Sequence, residues 1–323
     1  MVHADLNWFG RTGWKKDRNQ KTQLKPVLVR KMVGSGGRFE EIRSPAVDEP
    51  GRRLSDRVTV VIGGATGFGR TTSALFTAHG ARVVVAGRRA DLAAAAGREF
   101  GGWGTGCDVV DDEQVRQLVD AVVEREGTVD VVVNYAGYQE STPIRELTPN
   151  HVGPMVEVQL VAAMQVVQHF GNAMAATGGG SIISTSSLTA HNPTTGHPVY
   201  AACKRGLEYF TEIAALEYGP DGVRVNCVAA HLIETPMTTE IFQNRLAIEA
   251  VVSQTPLGHM GTVDDIANAA LFLACDESAY VSGHTLLVDG AASTQKLPTA
   301  RDLELLANAR PDLLKEMPEG GKA

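Results

Sequence analysis

The sequence predicts an α/β fold: a doubly wound parallel sheet with helices on both faces, forming a single domain behind an N-terminal extension. Three observations predict it. Short β-branched runs alternate with helical stretches from Arg57 onward. The runs are almost wholly apolar, as strands covered on both faces must be. The first of them runs directly into a glycine-rich turn that opens a helix, the arrangement that brings backbone amides to a phosphate. With 323 residues, 43% of them hydrophobic, the chain has ample length for a sizeable core.

Residues 1–53 show no sustained apolar period. Val27-Leu28-Val29 is the one strand-like triplet, Gly34-Ser35-Gly36-Gly37 is a break, and Pro45 and Pro50-Gly51 mark a linker. This extension is expected to be extended or poorly ordered. Residues 54–293 read as one domain. Its first strand is Val58–Ile62, followed by a helix near 70–79. Further strands are Arg82-Val83-Val84-Val85, Val129-Asp130-Val131-Val132-Val133, Ser181-Ile182-Ile183-Ser184, Arg224-Val225-Asn226-Cys227-Val228 and Thr285-Leu286-Leu287-Val288. Helices are expected over 112–126, 148–176, 198–218 and 263–275. The tail, 294–323, holds a short helix over 299–309, with Leu303, Leu305 and Leu306 free to dock.

Charge divides the chain as well. Residues 1–53 carry 12 Lys and Arg against 6 Asp and Glu, a net +6; the remainder carries 18 against 31, a net −13. Trp8 and Trp14 lie near the basic cluster, but no nucleic-acid-binding module accompanies them and the acidic body opposes a polyanion, so no nucleic-acid partner is expected. No apolar run of membrane-spanning length occurs and residues 1–18 lack a secretory signal, so a cytoplasmic location and no membrane partner are expected. Cys107, Cys203, Cys227 and Cys275 show no ligand spacing and read as buried thiols, with no metal site.

Three motifs carry chemistry. In Gly63-Gly64-Ala65-Thr66-Gly67-Phe68-Gly69, glycines allow close backbone approach to a pyrophosphate at a helix N-terminus. The second strand ends at Gly87-Arg88-Arg89, where a ribose-binding site would place a carboxylate. Arg88, with Arg89 beside it, suits a 2′-phosphate instead, through charge-assisted pairing. Thirteen residues beyond Ser187 stands Tyr200, then Lys204 on the same helical face. A nearby ammonium favours the phenolate and makes the tyrosine a usable acid/base at a carbonyl or carbinol.

In order, the chain shows the Gly63/Gly67/Gly69 turn, Asp108-Val109, Asn134-Tyr135-Ala136-Gly137, Ser187, Tyr200-x-x-x-Lys204, Ile233-Glu234-Thr235-Pro236-Met237 and Val288-Asp289-Gly290. This set resembles the short-chain dehydrogenase/reductase family over residues 54–293 and implies a Rossmann-like fold. The resemblance implies that Tyr200 exchanges the substrate hydroxyl proton, that Lys204 tunes it and holds the nicotinamide ribose, and that Ser187 hydrogen-bonds the substrate oxygen. It implies further that Gly63, Gly67, Phe68, Gly69, Arg88 and Arg89 meet the nucleotide. Asp108 and Val109 would meet the adenine, Asn134, Ala136 and Gly137 the middle of the cofactor, and Ile233 and Thr235 the carboxamide. NADP(H) is the expected cofactor, with NAD(H) as the alternative. The expected reaction interconverts a secondary alcohol and a ketone (EC 1.1.1.-) on a small molecule, in a homotetramer or dimer. A non-redox nucleotide sensor on the same fold is the competing reading.

Four positions depart from the family pattern. Ile62 replaces a frequent Thr. Tyr135 replaces a second Asn, so a bracing amide is expected to be lost. Gln159 replaces an Asn that relays protons toward Lys204; it keeps the amide with one more methylene and is counted with the catalytic set. Ala230-His231 replaces Pro-Gly, with His231 read as a space-filler ahead of a second acid/base. His191 and His197 lie in the loop between Ser187 and Tyr200; solvent exposure is expected ahead of the alternative that either faces substrate. Ile241, Phe242, Leu246, Ile248, Val251 and Val252 suggest an apolar lid, and therefore an apolar substrate.

Overall fold

A computed structural model describes residues 28–33, 38–43, 52–294 and 308–309. The chain divides into two units, Met1–Val47 and Asp48–Ala323. In the first, β1 (Leu28–Val33) and β2 (Arg38–Arg43) pair antiparallel, Leu28 opposite Arg43 and Val33 opposite Arg38. The N-terminal extension therefore holds a second strand that the sequence reading missed. Arg-Phe-Glu-Glu-Ile-Arg has too little apolar content to stand out on pattern. The rest of that extension and the tail helix, apart from Asn308 and Ala309, lie outside the described residues.

The second unit is built on seven parallel strands: β3 (Val58–Ile62), β4 (Arg82–Gly87), β5 (Trp103–Gly106), β6 (Val131–Asn134), β7 (Gly180–Ser187), β8 (Val223–Ala230) and β9 (Thr285–Val288). Their order is β5-β4-β3-β6-β7-β8-β9. From β3 the chain winds one way through β4 and β5, then returns to the other side at β6. The carboxyl ends of β3 and β6 therefore part at a switch point, where such sheets bind ligands.

Alternate residues of β3 feed two cores. Val58, Val60 and Ile62 pack with Val115 and Leu118 of α3 (Asp112–Glu126) and with Val166, Phe170 and Met174 of α5 (Ala162–Thr177). Val61 faces the other way, onto Phe76 of α1 (Gly67–Ala78), Ala93 of α2 (Ala90–Glu99) and Ile266 and Leu271 of α9 (Val263–Ala274). Each such buried side chain contributes roughly 1.5–3 kcal/mol of transfer free energy, which is why a continuous apolar strand makes a stable centre for the sheet.

Two expected elements changed form. The run 148–176 is one helical path with an internal defect: α4 (Pro149–Val156), a π-turn at Glu157–Val161, then α5. The π-turn widens the helix at Gln159. β5 and α2 were absent from the element reading because Trp103-Gly104-Thr105-Gly106 has no β-branched run. Its glycines serve packing instead: a Cβ on Gly104 would run into the Ala93 carbonyl of α2. α6 (Pro198–Tyr218) has the expected bounds, and α7 (Thr239–Phe242) and α8 (Arg245–Ser253) fill the stretch after β8.

Candidate active site

A cavity of about 630 Å³ lies over the carboxyl ends of β3, β4 and β6. Gly63, Gly67, Phe68, Gly69, Arg88, Arg89, Asp108, Val109, Ala136, Gly137 and Thr235 all line it. Thr66, the residue capping α1, makes no side-chain cap bond, and no acidic residue sits in that helix's first turn. The first amides of α1 are therefore free to meet an anion. Gly67 has φ +52°, a left-handed backbone that lets the turn enter the helix without strain. Gly87 has open space around it, and Arg88 and Arg89 stand exposed at the rim with no ion pair among the described residues. Asp108 uses one carboxylate oxygen to accept from the Val110 amide at 3.3 Å. A dinucleotide with its phosphates at the start of α1 matches this donor set.

A second cavity, about 690 Å³, holds Ser187, Tyr200 and Ile233. Phe68, Thr235 and Met237 line both cavities, so the two are contiguous. Leu188, Leu232, Ile241 and Val251 give the second one apolar walls. Of the expected lid, Ile241 and Val251 reach the cavity, whereas Phe242, Ile248 and Val252 are half-buried elsewhere; the side chain of Leu246 lies outside the described residues.

The two adjacent serines of β7 separate cleanly. Ser186 is buried and its hydroxyl donates to Glu208 at 2.6 Å, whereas Ser187 faces the cavity. Strand alternation makes this division, since successive side chains point to opposite faces. Burial raises the Tyr200 pKa, and a hydrogen bond with Ser187 opposes the rise. Lys204 lies beneath, 4% exposed and lining neither cavity; its ammonium is 5.5 Å from the Tyr200 ring centroid and donates to the Thr185 carbonyl at 2.7 Å. Burial depresses the Lys204 pKa to about 8. The expected downward pull of Lys204 does not set the direction of the Tyr200 shift; burial of the phenol does.

Other expected residues lie just behind the surface. Asn134 is buried and its Oδ1 accepts from the Ala136 amide at 3.0 Å, so it shapes the loop lining the first cavity. Gln159 is 2% exposed in the π-turn. Its amide nitrogen donates to the Tyr138 carbonyl and its Oε1 has no partner among the described residues. The amide therefore lies against Gly137, where a Cβ would run into it.

Tyr135 replaces the bracing it was expected to lose. Its hydroxyl pairs with Thr72 of α1 at 2.8 Å, and its ring packs on Phe68 with centroids 6.0 Å apart. His231 lines the second cavity with both ring nitrogens engaged by neighbours. Nδ1 accepts from the Leu232 amide at 2.7 Å, so the ring proton is on Nε2. Nε2 faces Thr255 at 3.3 Å, and Thr255 gives its own proton to the Val251 carbonyl. Burial lowers the His231 pKa. Neither His191 nor His197 is fully exposed, and for His197 it is the alternative, facing the second cavity, that the structure shows. His191 is half-buried against Glu208 at 3.0 Å, and His197 lines the second cavity beside Gln139. The 188–197 loop folds back onto α6, a contact that no local pattern encodes.

Sequence reasoning missed Thr189 and Glu208, which stand in no motif, whereas Met237, the last residue of the 233–237 motif, lines both cavities. They matter because β7, α6 and the segment after β8 converge.

A family model described as Enoyl-(Acyl carrier protein) reductase matches residues 63–293. Momilactone A synthase of Oryza sativa subsp. japonica is 39% identical over 259 residues, covering 77% of this chain and 94% of that protein. The mitochondrial borneol dehydrogenase of Lavandula x intermedia is 37% identical over 246 residues, covering 75% and 92%. A crystal structure of a gluconate 5-dehydrogenase from Burkholderia cenocepacia, in complex with NADP and tartrate, superimposes with a TM-score of 0.72 at 29% identity, covering 76% of this chain and 98% of that one. The matched span, the relatives and the ordered motifs around a seven-stranded parallel sheet agree: the chain belongs to the short-chain dehydrogenase/reductase family of oxidoreductases.

Proposed function

We propose that this chain is an NADP(H)-dependent oxidoreductase interconverting a secondary alcohol and a ketone on a fairly apolar substrate. The observation that carries this reading is the junction of the two cavities at Phe68, Thr235 and Met237, with Ser187 and Tyr200 facing the second. In reduction, Ser187 donates to the substrate oxygen as charge builds there, and Tyr200 delivers the proton. In oxidation, Tyr200 takes the hydroxyl proton. Lys204 holds positive charge under the ring and favours the phenolate when it is charged. The nicotinamide, when bound, supplies or accepts the hydride.

Preference for NADP(H) rests on Arg88 and Arg89 at the rim and on glycine rather than a carboxylate at position 87. It is supported by the NADP in the gluconate 5-dehydrogenase neighbour. The apolar substrate rests on Leu188, Leu232, Ile241 and Val251, and borneol dehydrogenase among the relatives supports it. Tyr209, Ile213 and Leu216 form an exposed apolar face on α6, 66%, 40% and 77% exposed, which suits self-association into a dimer or tetramer. The test is a panel of bicyclic, aromatic and polyol secondary alcohols with NADP⁺ and with NAD⁺. Bicyclic or aromatic alcohols are expected to react, faster with NADP⁺, and Tyr200→Phe to abolish turnover while NADPH still binds. Tight NADPH binding with no turnover of any alcohol or ketone overturns the enzyme in favour of a nucleotide sensor.

A further inference from the structure

The buried carboxylate of Glu208 plays no part in the proton transfer above, yet three groups converge on it. Ser186 donates at 2.6 Å and His191 Nε2 lies 3.0 Å away, both at Oε1; Arg205 donates to Oε2 at 3.0 Å. Glu208 is 3% exposed. It lies one turn beyond Lys204 and two beyond Tyr200, on the same face of α6. The helix that carries the proton-transfer tyrosine thus also grips both sides of the turn presenting Ser187: residue 186 before it and residue 191 after it.

Within that turn Thr189 meets Ser187 directly. The Ser187 hydroxyl oxygen accepts from the Thr189 amide at 3.2 Å and from the Thr189 hydroxyl at 3.1 Å. A serine oxygen has two acceptor sites and one proton. Thr189 fills both acceptor sites, so the only capacity left to Ser187 is donation into the cavity. A serine that can only donate stabilises a developing oxyanion and cannot compete for the proton on Tyr200.

We infer that Thr189 and Glu208 are positioning residues for the reaction, Thr189 by making Ser187 an obligate donor and Glu208 by clamping the turn that presents it. This rests on the alcohol/ketone reading for its effect on rate, but not for its effect on structure. In the full-length protein, with NADP⁺ and the best alcohol of the panel, Thr189→Val is expected to lower kcat about tenfold, the scale of one polar hydrogen bond. Substrate KM and NADPH affinity are expected to stay within about twofold, and Thr189→Ser to restore the rate. In a Ser187→Ala background, Thr189→Val is expected to cost nothing further, because both act through one hydroxyl. A rise in KM at unchanged kcat, or full additivity with Ser187→Ala, overturns the role of Thr189. Glu208→Gln is expected to lower kcat and to raise amide exchange across 186–191 by about tenfold, with the β3–α1 turn unchanged. Unchanged exchange there overturns the clamp. If wild type turns over no alcohol, the functional reading fails by itself and the exchange measurement still decides the clamp.

Discussion

Lys204 donates its ammonium proton to the Thr185 carbonyl across 2.7 Å, while its charge sits 5.5 Å from the centre of the Tyr200 ring. A buried cation with one backbone acceptor is a costly group, and here it lies beneath the tyrosine proposed to transfer the proton. Its pKa falls from 10.5 to about 8 on burial. Between those two values the unfolded chain binds the proton that the folded one has released. Stability therefore rises with pH across that window, and the full cost of the buried charge is felt below pH 8. That cost is on the order of 3 kcal/mol. Lys204→Met is expected to raise stability at pH 7 by about 1–2 kcal/mol after loss of the Thr185 hydrogen bond, and to flatten the rise between pH 8 and 10. Urea unfolding of the cofactor-free protein at pH 7 and pH 10 measures both. A less stable variant with the rise intact contradicts the assignment.

Ser187 and Tyr200 share a hydrogen bond that lowers the Tyr200 pKa against the upward effect of burial. Removing it in Ser187→Ala should push the phenol further up. Alcohol oxidation needs the phenolate, so its kcat/KM profile is expected to shift toward higher pH, along with a rate loss of about 10²–10³. A profile that keeps its wild-type midpoint separates Ser187 from Tyr200 and defeats the expectation.

Arg88 and Gly87 offer a cofactor test with little risk to folding, since both lie at the rim and Gly87 has no neighbour where a side chain would go. Arg88→Ala is expected to raise the KM for NADPH by about tenfold and leave that for NADH nearly unchanged. Gly87→Asp should act in the same direction by repelling a 2′-phosphate. Initial rates with each cofactor give the answer, and an unchanged NADPH KM in both variants removes the 2′-phosphate role.

Tyr135 and Thr72 form the tie between β6 and α1, and Thr72 is fully buried. Tyr135→Phe leaves the Thr72 hydroxyl without that partner and is expected to cost about 1–3 kcal/mol. NADPH affinity should hold within about threefold, because the ring still packs on Phe68. Equal stability of the variant in urea would show that the tie contributes nothing.

The residues of the candidate site stand out in the sequence because the relations among them are local. Gly63 to Gly69 must turn a strand into a helix, and Tyr200 and Lys204 must share a helical face; both requirements are written as spacings of a few residues. The strands of the sheet centre were legible for the same reason, since burial on both faces demands unbroken runs such as Val58–Ile62. β5 was not, because an edge strand of Trp and Gly is defined by what packs against it.

The sequence by itself determined the sheet's central strands, the glycine-rich turn between β3 and α1, and the spacing of Ser187, Tyr200 and Lys204. Only the tertiary structure decided that Ser186 turns to Glu208 while Ser187 turns to the cavity, and that His231 is engaged by Leu232 and Thr255. It alone decided that Gln159 donates to the Tyr138 carbonyl, and that Tyr135 braces α1. The physical reason is range. Periodicity and spacing report the constraints a residue's own helix or strand imposes. Hydrogen-bond partners and burial are set by segments that meet only when the sheet has closed.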